Sequence, residues 1–122
     1  MKEPDLALLA RRMAQSLRRF GAFVFQDGVD SRNAVMRLLS SLKLSLAFDV
    51  VRAGSRYNIY VVVPKENQCR SRCIYDEGCG SDEECVRECT SRCVRGVVSR
   101  AADLLENYAE RHGKGQSRTN MA

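Results

Sequence analysis

Six cysteines lie within residues 69–93, and no other cysteine occurs in this chain of 122 residues. Thiols at this density can form disulfides, bind a metal ion or act as free redox groups. Their spacing falls into two rows with steps of four residues: Cys69 and Cys73, then Cys85, Cys89 and Cys93. A step of four places side chains on one face of a helix, so the sequence predicts a helical hairpin whose rows face each other around Gly78-Cys79-Gly80.

A nested pairing of the two rows uses all six cysteines: Cys69–Cys93, Cys73–Cys89 and Cys79–Cys85. A second register, Cys73–Cys85 with Cys69–Cys89, fits the turn equally well. It leaves Cys79 and Cys93 farther apart than the Cα separation of about 4.4–6.8 Å that a bridge needs. Six cysteines permit fifteen connectivities, and spacing alone does not choose among them.

A metal site is the competing interpretation of the cysteines. Zinc sites usually have two residues between paired cysteines, and none of the gaps here is two. The spacings of iron–sulfur ligands do not match either, and His112 is the only histidine. Disulfides are therefore favoured over a metal ion or free thiols, and we predict no cofactor.

The stretch Cys69-x3-Cys73-x11-Cys85-x3-Cys89 resembles the twin Cys-x3-Cys pattern of small mitochondrial import chaperones and plant helical-hairpin peptides. The resemblance covers about a sixth of the chain and implies a disulfide-stapled helical hairpin. Cys79 and Cys93 depart from the pattern, and the resemblance implies no function.

Hydrophobic periodicity outlines the N-terminal elements. Residues 5–20 form an amphipathic helix, because apolar residues recur at steps of three and four. These residues are Leu6, Leu9, Met13, Leu17 and Phe20. A short strand is predicted over 21–26, and Asp30 or Ser31 can cap a second helix that ends near Lys43.

Alternating apolar residues over 44–63 predict an antiparallel β-hairpin. Pairing Val50 with Tyr57 gathers the apolar side chains on one face. The opposite, outer face then holds polar side chains and one aromatic ring: Arg52, Arg56, Asn58 and Tyr60. Pro64 ends the second strand because it cannot donate a hydrogen bond to a central ladder.

The C-terminal part predicts one long helix. Ser81 and Glu84 form a capping box that starts a helix near Asp82, and this helix runs to about Arg111. One seam of apolar side chains follows a 3-4-3-4 spacing: Val94, Val97, Ala101, Leu104 and Tyr108. The seam predicts either core packing or a homodimer through residues 94–108.

The predicted fold class is therefore α+β, with N-terminal helices, a small antiparallel sheet and a C-terminal disulfide-stapled helical hairpin within 66–111. A single domain is predicted over 1–112. Residues 113–122 are polar, glycine-containing and without periodicity, and we predict a disordered tail there.

Amino-acid composition indicates the cellular location of the protein and the kind of partner it binds. The net charge is +5, and sixteen of the twenty basic residues are arginines. No apolar run approaches the roughly 18 residues of a membrane span, so we predict a cytoplasmic protein without membrane contact. Abundant arginine and the absence of tryptophan suit a thermostable protein of archaeal or archaeal-virus-like origin, where intracellular disulfides are frequent.

No enzyme motif is present, so we predict a non-enzymatic protein. There is no phosphate-cradling glycine loop and no nucleophile elbow, and His112 is the only candidate imidazole base.

Four arginines on the first predicted helix indicate a polyanionic partner: Arg11, Arg12, Arg18 and Arg19. They form a strip without an acidic residue, and the planar arginine fork suits phosphate. Alternatively, this is a solvated face whose acidic partners come from elsewhere in the fold. Arg52, Arg56 and Tyr60 add a second candidate surface, on which the tyrosine would stack on a base. The sequence thus favours a protein that binds single-stranded DNA or RNA, with a disulfide-stabilised protein-interaction or structural module as the alternative.

Overall fold

A computed structural model describes residues 5–28, 32–54 and 58–121, with side chains described as far as Gly113. Four helices and three strands follow one another along the chain: α1 (Leu6–Phe20), β1 (Phe23–Gln26), α2 (Arg32–Ser41), β2 (Phe48–Gly54), β3 (Ile59–Pro64), α3 (Glu66–Tyr75) and α4 (Glu83–Met121). This architecture confirms the predicted α+β class. No helix in the described part of the chain is both long enough and apolar enough to cross a membrane.

Helix α1 has a cap at each end. The Asp5 carboxylate accepts hydrogen bonds from two N–H groups of the first turn, at 3.1 and 3.2 Å. Gly21 ends the helix in the left-handed conformation, with φ at 73°, which glycine adopts at little cost. Phe20, predicted on the buried stripe, is 76% exposed. Asp30 and Ser31, the predicted caps of α2, lie outside the described residues.

The sheet has β3 at its centre, antiparallel to both neighbours. Val50 pairs with Val62, and Arg52 pairs with Tyr60. The predicted pairing of Val50 with Tyr57, a residue outside the described part, was wrong. The partner of Val50 is five positions farther along β3, and an odd shift turns the other face of a strand to the core.

The two faces of the sheet consequently have different surroundings. Tyr60 and Val62 point into the core beside Phe23 and Phe25. The outer face instead carries a cross-strand row of valines: Val24, Val61 and Val51.

The first strand of the predicted 44–63 hairpin, β2, begins later than expected because the chain turns at 44–47. Lys43 has a positive φ of 59°, and the Leu44 N–H donates to the Leu39 carbonyl at 2.7 Å. The N–H groups of Ala47 and Phe48 then both donate to the Leu44 carbonyl, so extended structure starts only at Phe48.

The main core combines buried residues of α1, α2, α4 and the inner face of the sheet, and α1 and α4 make its most extensive contact. The buried face of α4 includes Val98, Ala101, Ala102, Leu105 and Ala109. Ala101, the centre of the predicted seam, is fully buried, and the other four seam residues are partly buried against the same core. The seam therefore packs within its own chain. A homodimer through residues 94–108 stays a prediction.

The hairpin of α3 and α4 is held by the nested disulfides. Cys69–Cys93, Cys73–Cys89 and Cys79–Cys85 have Cα separations of 5.7, 5.9 and 5.5 Å. The structure has the predicted nested pairing rather than the shifted register, and all six cysteines are bridged.

The ends of α4 differ from the predicted ends. The Asp82 carboxylate, one residue after the predicted cap Ser81, accepts a hydrogen bond from the Cys85 N–H at 3.2 Å. The helix continues through Met121, past the predicted end near Arg111. The backbone of 113–121 is thus helical where a disordered tail was expected, and the division into a domain and a tail stays a prediction.

Candidate nucleic-acid interface

Two of the four α1 arginines face acidic residues of α4. Arg18 donates to the Glu106 carboxylate at 2.6 Å and to the Asp103 carboxylate at 2.5 Å. The hydrogen bonds to Glu106 and Asp103 raise the pKa of Arg18 above its ordinary value. Arg11 shares a pocket of about 360 Å³ with Glu106 and Glu110. For Arg18, then, the acidic partners do come from elsewhere in the fold.

The other two α1 arginines lie over aromatic rings. The guanidinium carbon of Arg12 is 5.9 Å from the centroid of the Phe23 ring, and that of Arg19 is 6.0 Å from the Phe20 ring. Both distances fall within the range of cation–π attraction. The four arginines of the predicted strip thus have two different environments.

Tyr60 is not available for stacking on a base. Its side chain is only 9% exposed, and its ring stacks on Phe25 with the centroids 5.5 Å apart. The guanidinium carbon of Arg32 is 5.5 Å from the Tyr60 ring, and its Nη1 donates to the hydroxyl at 3.5 Å. The predicted outward position of Tyr60 was wrong, because the register of β3 places it on the core face.

Arg52 donates hydrogen bonds to residues on both sides of the connection between β2 and β3. Its Nε donates to the Gly54 carbonyl at 3.1 Å, and its Nη2 donates to Oδ1 of Asn58 at 3.1 Å. Arg56, the third predicted contact on this hairpin, lies outside the described residues. Arg52 and Tyr60 are opposite each other on neighbouring strands, but the Tyr60 ring is buried, so the two do not form an open nucleic-acid-binding face.

A groove that the sequence interpretation missed lies between the α3–α4 hairpin and the segment 42–47. We call it the hairpin groove, and its volume is about 710 Å³. Five basic side chains line it: Lys43, Lys65, Arg72, Arg92 and Arg100. Glu77 is the one acidic residue among its described lining residues.

Among the described residues, one of these five cations forms an ion pair. Lys65 lies 3.8 Å from the Asp49 carboxylate. Within the described residues, Lys43, Arg72, Arg92 and Arg100 form no ion pair with an acidic side chain. All four of these side chains are exposed, so their charged groups are accessible from solvent.

The hairpin groove is also lined by apolar side chains. Buried Leu44 and Ala101 line it together with partly buried Val97 and Leu104. The disulfides Cys69–Cys93 and Cys73–Cys89 also line it, and they tie α3 to α4 along its length. We call the exposed basic residues the rim of the groove, and the less exposed apolar residues Leu44, Val97, Ala101 and Leu104, with the two disulfides, its apolar floor.

A pocket on the opposite side of the same hairpin provides a contrast. Its volume is about 930 Å³, so it is larger than the hairpin groove. Its charged lining residues are of both signs: Arg70, Arg87, Arg95, Glu66 and Glu83. The sign of the charges, rather than the volume, therefore distinguishes the hairpin groove from this pocket.

One sequence signal could have located the groove. Residues 89–102 contain three arginines and no acidic residue, the same signature that drew attention to α1, and two of the three, Arg92 and Arg100, line the groove. Residues 103–110, which follow directly, contain the acids that face α1. Within α4, residues 89–102 therefore contribute basic side chains, and residues 103–110 contribute the acidic side chains that face the α1 arginines.

Comparison with known proteins adds no family: no protein-family model, no curated protein and no solved structure matches this chain. Among the described residues, no cluster of three or more His, Cys, Asp or Glu side chains is placed to hold a metal ion.

Proposed function

We propose that this protein binds single-stranded nucleic acid, DNA or RNA, in the hairpin groove, and that it does so without catalysing a reaction. The observation that carries the proposal is the set of four exposed cations, Lys43, Arg72, Arg92 and Arg100, which form no ion pair with a described acid and surround an apolar floor. The net charge of +5 adds long-range attraction for a polyanion.

Phosphate groups suit the rim of the groove. Lysine and arginine that neutralise phosphates release condensed counterions, which supplies most of the affinity of sequence-independent binding. Three of the four cations are arginines, whose planar guanidinium can donate two parallel hydrogen bonds to one phosphate. The rim is therefore suited to a chain of phosphates more than to a single small anion.

The apolar floor favours a single strand over a duplex. The bases of a duplex are stacked inside the helix and present polar edges in its grooves, so an apolar floor would have nothing to contact. Unpaired bases expose flat, weakly polar faces that bind apolar side chains. Val97, Leu104 and the two disulfides would provide that contact.

A protein-interaction module is the second candidate function, and one observation favours it. Val24, Val61 and Val51 lie directly opposite one another on the outer face of the sheet. Val24 is 59% exposed and Val51 is 49% exposed, so the row presents apolar surface to solvent. Exposed apolar patches of this kind often mark contacts with another protein.

Fluorescence anisotropy with a labelled single-stranded oligonucleotide tests the first function. If four phosphates are neutralised, log affinity should fall against log salt with a slope of about −3, since each phosphate contributes about −0.7. Replacing Arg72, Arg92 and Arg100 with Gln should weaken binding at least tenfold and reduce the slope to about −1.

The matched control replaces Arg70, Arg87 and Arg95 with Gln. These residues lie on the same two helices as the groove arginines but line the opposite pocket. Replacing them removes the same total charge. The control should keep the salt slope of the unaltered protein. Equal losses in both triple variants would mean that net charge alone attracts the oligonucleotide. Undetectable binding at low salt would leave the protein-interaction module as the supported function.

A further inference from the structure

Gly96 lies in the interior of α4, where glycine is one of the two least favourable residues. The usual structural reasons for a glycine are absent at this position. A Cβ built on Gly96 would meet no described atom within 4 Å, so no neighbouring element requires a small residue. Its φ is not positive, and the helix continues on both sides, so neither a turn nor a helix end requires it.

Gly96 lies midway between two arginines of the hairpin groove. It lies four residues after Arg92 and four before Arg100, which places the three residues on one face of α4, and all three line the groove. At 1.5 Å per residue, the two arginines are about 12 Å apart along the helix axis. Gly96 is at the midpoint, where the missing side chain leaves the helix backbone open to the groove.

We propose that a single strand of nucleic acid runs along α4 in the groove and touches the helix backbone at Gly96. Arg92 and Arg100 would then bind phosphates on either side of this contact. At about 3.4 Å per nucleotide of a stacked strand, the span of about 12 Å corresponds to three or four nucleotides. This inference rests on the proposed function and adds a steric determinant to it.

Two substitutions separate a ligand-contact role from a neutral glycine. Gly96→Ala should raise the melting temperature by about 2–5 °C, because alanine is the better helix former and meets no neighbour. It should nevertheless weaken oligonucleotide binding about threefold. Gly96→Leu should fill the space between the two arginines and weaken binding at least tenfold in protein that remains folded.

The control is Ser91→Leu, which adds the same leucine to α4 at an exposed position lining the opposite pocket. It should leave the affinity unchanged. If the unaltered protein binds with a steep salt dependence and Gly96→Leu binds equally well, the inference is wrong and the groove proposal stands. If the unaltered protein does not bind, both are wrong.

Discussion

The α1 arginines and the arginines of the hairpin groove have the same sequence signature and opposite surroundings. Residues 6–20 contain four arginines and no acid. Residues 89–102 contain three arginines and no acid, and two of these, Arg92 and Arg100, line the groove. Helix α1 packs against the part of α4 that provides Asp103, Glu106 and Glu110. The groove arginines instead face α3 and the segment 42–47, which add Lys43 and Arg72.

This difference shows that the element packed opposite a helix face decides whether the charges on that face are neutralised. The ion pairs of Arg18 are exposed, and exposed pairs contribute little stability, but they neutralise the charge that an external anion would bind. In the groove, like charges are held near one another by the disulfides of the hairpin. We expect the two regions to respond differently to the changes below.

Tyr60 should give the largest effect, because it belongs to the core and not to a binding surface. Tyr60→Ala should lower the free energy of unfolding by about 3–5 kcal/mol, the usual cost of truncating a buried aromatic side chain. Chemical denaturation measures this. Tyr60→Phe keeps the ring stacked on Phe25 and should bind the oligonucleotide like the unaltered protein. Weakened binding by folded Tyr60→Phe would return Tyr60 to the interface.

Removal of the Cys73–Cys89 disulfide should have the second-largest effect. Replacing Cys73 and Cys89 with Ala opens the bridge with a sequence separation of 16 and should cost up to about 3 kcal/mol, measured in urea. It should also weaken oligonucleotide binding, because that bridge lines the groove. The Cys79–Cys85 bridge has a separation of 6 and does not line the groove, so its removal should cost less stability and leave binding intact. An equal loss of binding in both variants would contradict this.

The charged residues allow a direct test of the comparison. Replacing Arg11, Arg12, Arg18 and Arg19 with Gln removes four positive charges, one more than the triple change in the groove. The α1 variant should nevertheless weaken binding less than the groove variant and leave the salt slope nearly unchanged, as titrations at several salt concentrations would show. A larger loss from the α1 variant would place the interface on α1, as the sequence first suggested.

The ion pairs between α1 and α4 should give the smallest effect. Arg18→Asp should lower the melting temperature slightly, because it places a third acid beside Asp103 and Glu106. Adding Asp103→Arg to this variant should recover most of the loss by reversing the pair. The difference should shrink in high salt, which screens exposed charges. A loss that the double variant fails to recover would indicate that packing around Arg18, and not the pair, is responsible.

Features encoded within a short stretch of chain were predictable. The stapled hairpin follows from steps of four residues on two helices joined by a short turn, all within 25 residues, although spacing alone left its disulfide pairing open. The buried face of α1 follows from its periodicity, apart from Phe20 at the last position. The register of β3 was not predictable in this way. Its residues are apolar at both odd and even positions, so the alternation does not show which face is buried.

The sequence by itself therefore determined the class of fold, the stapled hairpin and the basic character of the protein, because each depends on neighbours in the chain. Only the tertiary structure decided which cations are neutralised and which remain available. Arg18 meets Asp103 across 85 residues of sequence, and the groove combines residues from Leu42 to Leu104. Electrostatic interactions depend on distance in space, and that distance is set by how the helices pack.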